Sequence, residues 1–405
     1  MAQETFRALR HRNFRLYVGG MAVSLAGTYM QQVAQSWLVY RLTKSEWMLG
    51  VSMFCAYVPM LVLTPLTGLV ADRYRRRRIV MVAQTAAMGQ ALLLAVLTLG
   101  GWVQIWHVLV LAVFLGVASA FDTPGRQALL VHLVGKEDLL NAISLNSTTF
   151  NAARIVGPPI AGFVVARFGE GFCFALNAAS FLAVLASLWA MRIEEPPGSG
   201  GGRWPLRELL EGFRYAWERK AVRVLLLTAG LACLSSSSCF TLAPVFADKI
   251  LQMGSQGYGL LTGAMGVGAV LGTLVLAGRG RARGLERVLI WCAAGLGLAM
   301  LAFAVSPSFW FSMAAMLVIG VCLFGQNASN NTAVQTGLEE SFRGRVMGLY
   351  SMMVVGMLPV GSLMSGALAK GIGARWTVGL GGLMSLGAAA FVYINRRTLR
   401  PWLER

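Results

Sequence analysis

Apolar residues along this chain do not alternate with polar ones at the two-residue period of a strand. They gather into long runs separated by short polar loops. Twelve runs can be marked off, centred near residues 27, 59, 89, 113, 155, 181, 235, 267, 296, 320, 357 and 385. About 20 apolar residues cross a bilayer as a helix, and a helix satisfies every backbone N–H and C=O where lipid offers no partner. Strands of a membrane barrel would alternate over about 10 residues, and these runs do not. The pattern predicts an all-α membrane protein with twelve transmembrane helices.

The longest polar interval, Arg192 to Arg223, splits the spans six and six. It predicts an N-terminal six-helix bundle over 1–192, a cytoplasmic linker over 193–222 and a C-terminal six-helix bundle over 223–405. The linker opens on a flexible Pro/Gly/Ser stretch from Glu194 to Pro205. Leu206, Leu209, Leu210, Phe213 and Trp217 then recur at helical spacing, with Arg207/Glu211 and Arg214/Glu218 as i,i+4 pairs on the other face. That is the pattern of an amphipathic helix on a membrane surface. The two bundles are expected to be pseudo-symmetric, because Gly116, Gly157, Gly162 and Gly169 become Gly320, Gly361, Gly366 and Gly373 on adding 204. Paired repeats of this kind mark a class of transporters whose site lies near the bilayer midplane.

Composition agrees with a membrane chain. Hydrophobic residues make up 56% and charged residues 13%, against roughly 45–50% and 25% in soluble domains. The net charge of +18 raises the possibility of nucleic acid, but its distribution excludes that partner. With the N-terminus and every second loop on one side, the other side receives only Arg41, Lys44, Arg167, Lys249, Lys370 and Arg375, and Arg154 falls within a span. The positive-inside rule then puts both termini in the cytoplasm and makes the lipid bilayer the partner. The basic stretch Phe6 to Arg15 runs directly into a full-length span, unlike a cleavable signal.

Reaction chemistry is absent. The six Cys fall inside apolar spans without metal-ligand spacing, so neither a metal nor a cofactor is expected. His11, His107 and His132 lie far apart, and no phosphate loop, serine elbow or zinc-protease pattern occurs. The chain does not read as an enzyme.

Polar residues inside the spans are the candidates for function. Arg154 lies near the middle of span five, where insertion costs roughly 2.5–3.5 kcal/mol, so it needs a wet cavity or a partner. Ser144, Ser147, Asn151, Arg154 and Pro158 share its helix face. The other use of such an arginine is structural, held by carbonyls freed at Pro158-Pro159. Gln31 and Gln35 of span one, Gln326, Asn327 and Asn330 of span ten, and Tyr350 complete the candidate substrate cavity, with interhelical hydrogen bonding as their alternative use. Asp72 sits among five arginines after span two. With Arg73, Arg76, Asp122 and Arg126 it forms a candidate cytoplasmic gate of charge-assisted bonds.

The run Gly68-x-Val-Ala-Asp72-Arg73-x-x-Arg76-Arg77 resembles the loop signature of the major facilitator superfamily, with Arg75 in place of its second glycine. Gly157-Pro158-Pro-Ile-Ala-Gly162 is similar to that superfamily's helix-five antiporter motif. Asp122-Thr-Pro-Gly-Arg126, Asp138-Leu-Leu-Asn141 and Asn151-Ala-Ala-Arg154 look like its enterobactin-exporter and macrolide-efflux branch. The resemblance implies the major facilitator fold in a bacterial inner membrane and alternating access between two bundles. It also implies export of a small amphipathic or anionic organic molecule, of drug or siderophore type, coupled to H+. The arginine that many drug/proton antiporters carry in span four would fall at Ala112, so proton coupling rests on kinship. A monomer is the expected state. Two alternatives are a lipid or lysophospholipid flippase of the same fold and a non-transporting membrane sensor or scaffold.

Overall fold

The computed structural model describes residues 6–135, 137–193, 205–278 and 284–403, and the side chains of all of these except 64–66, 68–73, 205–210 and 341. After a 3-10 turn at Arg7–Arg10 come α1 (Arg12–Thr43), α2 (Glu46–Arg73), α3 (Arg76–Leu99), α4 (Ile105–Leu133), α5 (Leu139–Phe168) and α6 (Glu170–Ala190). The linker helix is α7 (Pro205–Glu218). Then follow α8 (Lys220–Val245), α9 (Gly254–Ala277), α10 (Leu285–Val305), α11 (Phe309–Gly337), α12 (Glu340–Ile372) and α13 (Ala374–Leu403). Among the described residues 11 helices are long and apolar enough to cross a membrane. The twelfth span is α1, whose 32 residues suffice in length. Its apolar run is diluted by Ser24, Thr28, Gln31, Gln32 and Gln35.

The repeat is written in the backbone as well as in the glycines. Gly169 and Gly373, 204 apart, end α5 and α12 at φ +83° and +87°, a region that only glycine occupies cheaply. Lys44 and Gln252, 208 apart, take φ +46° and +55° in the equivalent turns after α1 and α8. Neither of those is glycine, so this half of the repeat has no compositional mark.

The chain forms two compact units, Met1–Leu42 with Val58–Arg203 and Thr43–Tyr57 with Trp204–Arg405. In the first, α3 packs on α4 and α6 around a core that includes Phe14, Tyr17, Met21 and Phe181. Small residues bring α1 against α6, with Gly20 facing Ser187 and Gly27 facing Ser180. The N-terminal turn is pinned to the start of α5 by Ala8 N–H donating to Asn141 Oδ1 (3.0 Å) and by His11 against Asp138 (2.9 Å).

In the second unit α9 crosses α11 where Gly268 and Gly272 meet Leu317 and Val321, and α10 packs on α13. Leu225, Leu289, Val392, Leu399 and Trp402 are buried in its core. The segment 43–57 joins this unit through two crossed charge pairs, Lys44 with Asp248 (3.0 Å) and Glu46 with Lys249 (3.9 Å). It also makes a glycine contact, since a Cβ on Gly50 would stand 3.1 Å from Gly366 Cα. Asp248 and Lys249 lie in a π-type turn, Phe246–Ile250, that follows Pro244.

The linker helix docks on the start of α12. Glu211 pairs with Arg345 (3.0 Å), Tyr215 stacks on Phe342 (4.2 Å between ring centres) and Arg219 pairs with Glu339 (2.6 Å). Arg214 and Glu218 form the expected i,i+4 pair at 2.9 Å. Phe213 and Trp217 stack on each other along the exposed face.

Candidate functional site

Asp122 and Arg126 lie one turn apart on α4 and so present their side chains to the same side. Asp122 Oδ2 is 2.8 Å from Arg126 Nε, with the two side chains 11% and 14% exposed. This is an ion pair by proximity, because the Nε–H is not aligned on an acceptor. Gln84 of α3 donates to the other carboxylate oxygen, Oδ1, at 2.9 Å. The Arg126 guanidinium lies 5.2 Å from the centre of the Phe150 ring on α5, and its Nη1 is 3.9 Å from Met21 Sδ on α1. One buried charge pair thus ties four helices.

Arg154 is half-buried on α5. Its Nη1 donates to Asn151 Oδ1 (3.4 Å), and its guanidinium lies 5.9 Å from the centre of the Tyr29 ring on α1. Pro158 and Pro159 have no amide hydrogen, so the carbonyls of Arg154 and Ile155 lose their usual helical donors. Ser147, two turns before Arg154, is exposed, and Asn151 is half-buried. The α5 face predicted from spacing is therefore continuous, and it carries a cation, an amide and a hydroxyl.

Gln31 serves a different purpose. Its Nε2 donates to Gln90 Oε1 on α3 (2.8 Å), and its Oε1 accepts from Asn177 Nδ2 on α6 (2.7 Å). Asn177 in turn receives the Ser180 hydroxyl at its Oδ1 (3.1 Å). This amide chain joins three helices inside the first unit, and Gln35 is buried one turn further along α1.

In the second unit Tyr350 of α12 donates its hydroxyl to the Asn327 carbonyl at 2.8 Å. Gln326 and Asn330 on α11 are 0% exposed, and their amide atoms have no hydrogen-bond partner among the described residues. They stand 204 positions after Asp122 and Arg126, so the repeat carries a charge pair in one unit and two neutral amides in the other. At the equivalent of Gln84, 209 positions on in α10, stands Ala293. The amides of the second unit consequently lack the partner that Asp122 has.

The side chains of Asp72 and Arg73 lie outside the described residues. Arg76 meets the His132 ring near the end of α4. Gln84, Gln90 and Asn177 were not singled out from the sequence, although each is a polar residue within an apolar helix, which is the signal that could have found them, and His132 was read only as one of three scattered histidines. No group of three or more His, Cys, Asp or Glu among the described residues could hold a metal ion.

The helix-five motif marks a close crossing. A Cβ on Gly157 would stand 2.8 Å from Tyr29 Cβ and 3.1 Å from the Ala26 carbonyl oxygen on α1, and Pro158 and Gly162 are buried beside it. Gly157→Val is expected to cost about 1–3 kcal/mol by overpacking. It should also displace Tyr29 from Arg154. Thermal denaturation in detergent would detect the loss, and an unchanged midpoint would mean that α1 moves away freely.

A family profile described as transmembrane secretion effector matches residues 3–404. The staphyloferrin A transporter of Staphylococcus aureus (strain NCTC 8325 / PS 47) is 27% identical over 381 residues, covering 93% of this chain and 95% of that protein. The enterobactin exporter EntS of Shigella boydii serotype 18 (strain CDC 3083-94 / BS512) is 26% identical over 379 residues, covering 91% and 86%. Among solved structures, the peptide transporter POT superposes with a TM-score of 0.77 at 12% identity, covering 96% of this chain and 95% of that one. The nucleoside transporter NupG superposes at 0.74 and 15%, covering 95% and 98%. At such identities these likenesses establish the fold alone.

Proposed function

The chain belongs to the transmembrane secretion effector family of major facilitator transporters, and from that premise we propose that it exports a small anionic or amphipathic organic molecule of siderophore or drug type. Transport across the membrane follows from the family. Cargo and direction are the proposal. The observation that carries it is Arg154, a cation held part-buried in a membrane helix by Asn151 and the Tyr29 ring. Keeping an arginine at that depth is costly, and an anion of the cargo would offset the cost. An aromatic ring close by favours a ligand with a planar or apolar portion. The relatives named for staphyloferrin A and enterobactin support this class.

In this reading residues 1–192 and 223–405 are the two bundles that rock during alternating access, with 193–222 as a cytoplasmic linker and both termini on the cytoplasmic side. Asn151, Ser147, Gln35, Gln326, Asn327, Asn330 and Tyr350 contribute polar lining as the bundles open. Asp72, Arg73 and Arg76 close the cytoplasmic side, and proton return drives the cycle.

Inverted membrane vesicles containing the protein should accumulate labelled enterobactin or staphyloferrin A when their lumen is acidic, and a protonophore should abolish the accumulation. Accumulation that survives the protonophore would remove the proton. Transport of a phospholipid analogue, with no siderophore transport, would replace the proposed cargo by lipid.

A further inference from the structure

Outside the polar core of the first unit, α3 and α4 enclose a groove of about 430 Å³, within the range of about 300–1,000 Å³ typical of ligand sites. Its lining comes from one face of each helix. On α3 these are Arg78, Ile79, Val82, Ala83 and Ala86, and on α4 they are Phe114, Val117, Ala118 and Phe121. Both sets follow i, i+3, i+4 spacing. The same two helices pair Gln84 with Asp122, and neither of these residues lines the groove.

The concavity has a cause in the sequence. Ala83, Ala86 and Ala118 provide a floor of small side chains, while Phe114 and Phe121 stand as walls. Val82, at the rim, is 70% exposed. The groove wall is almost wholly apolar, and Arg78 and the exposed Tyr74 flank one end of it. Of the neighbouring arginines, Arg76 is engaged with His132, and Arg77 donates to the Trp189 carbonyl at 3.0 Å. Arg78 donates its backbone amide to the Arg75 carbonyl at 2.9 Å, and its side chain has no hydrogen bond or ion pair among the described residues. It stays available to a ligand.

We propose that this groove binds one anionic glycerophospholipid, with an acyl chain along the alanine floor and the phosphate at Arg78. From Arg78 to Ala86 the helix rises about 12 Å, close to the apolar depth of one leaflet in a core about 30 Å thick. A basic mouth between two membrane helices is the arrangement that holds anionic headgroups at the cytoplasmic surface. Tyr74 has the amphipathic ring that settles at headgroup level. The lipid is a bound component here and not cargo, and the binding requires nothing of the transport cycle.

Native mass spectrometry of the purified full-length protein in detergent tests the site, with phosphatidylglycerol and phosphatidylcholine of matched chains as the probes. The wild type should retain one phosphatidylglycerol in preference to phosphatidylcholine. Arg78→Ala should weaken that retention about fivefold, the worth of one basic residue at an anionic surface. Ala86→Trp, which fills the floor, should weaken retention of both lipids. Arg397→Ala, an exposed arginine near the end of α13, should change nothing. Equal retention of the two lipids by the wild type would overturn the proposal, as would unaltered retention by Arg78→Ala, whose exposed position leaves folding intact. Displacement of phosphatidylglycerol by enterobactin would also overturn it, because the groove would then belong to the cargo.

Discussion

Arg154→Ala should lower the initial rate of export at least tenfold while leaving the amount of protein in the membrane unchanged. The size follows from what a guanidinium offers an anion, charge-assisted hydrogen bonds worth roughly 1.5–3 kcal/mol in a partly dry site. Arg154→Lys keeps the charge but loses the planar fork and the ring contact with Tyr29, so it should recover part of the rate. The comparison also separates two uses of the residue. If Arg154 is structural, held by the carbonyls freed at Pro158 and Pro159 and by Asn151, alanine should destabilise the bundle. If it serves cargo, alanine relieves a buried charge, and stability in detergent should hold or rise. Full transport by the alanine variant would remove Arg154 from the mechanism.

Much of the fold was legible because bilayer physics is one-dimensional along the chain. Run length gave the helices. Even α1, too polar to qualify on hydropathy, was found, because its polar residues are interspersed and its length is sufficient. The repeat was legible where glycine is obligatory, at Gly169 and Gly373, and illegible at Lys44 and Gln252, where an ordinary residue takes the same strained turn.

Pairings between helices were the hidden part. Gln31 was a reasonable candidate for a cavity, yet its amide is used up by Gln90 and Asn177, which lie 59 and 146 positions away. No spacing rule reaches that far. Likewise Glu211 pairs with Arg345 on α12, 134 positions away, while its expected partner Arg207 has its side chain outside the described residues. The candidate site was thus readable as a set of polar residues, and only the structure divides them into those bonded to one another and those, such as Gln326 and Asn330, that are not.

That division leads to the second large effect. Arg126→Ala should destabilise the protein by about 3–5 kcal/mol, the penalty for leaving one member of a buried ion pair alone. Among the described residues Asp122 would remain with the Gln84 amide as its one hydrogen-bond donor, and a single neutral donor is a poor substitute for a guanidinium. Asp122→Gln alone should cost a similar amount, since it strands the arginine against Phe150 and Met21. The repeat supplies the informative double variant. Positions 326 and 330 already hold Gln and Asn in the second unit, so Asp122→Gln with Arg126→Asn gives the first unit its counterpart's residues. Here Gln84 would still be present to bond the new amide, a partner that Ala293 cannot provide to Gln326. The double variant should therefore be more stable than either single one, with a coupling energy of roughly 2 kcal/mol or more in the cycle. Unfolding in detergent measures it. Additive losses would show that the two charges do not depend on each other, and the pair would then have no part in holding α1, α3, α4 and α5 together.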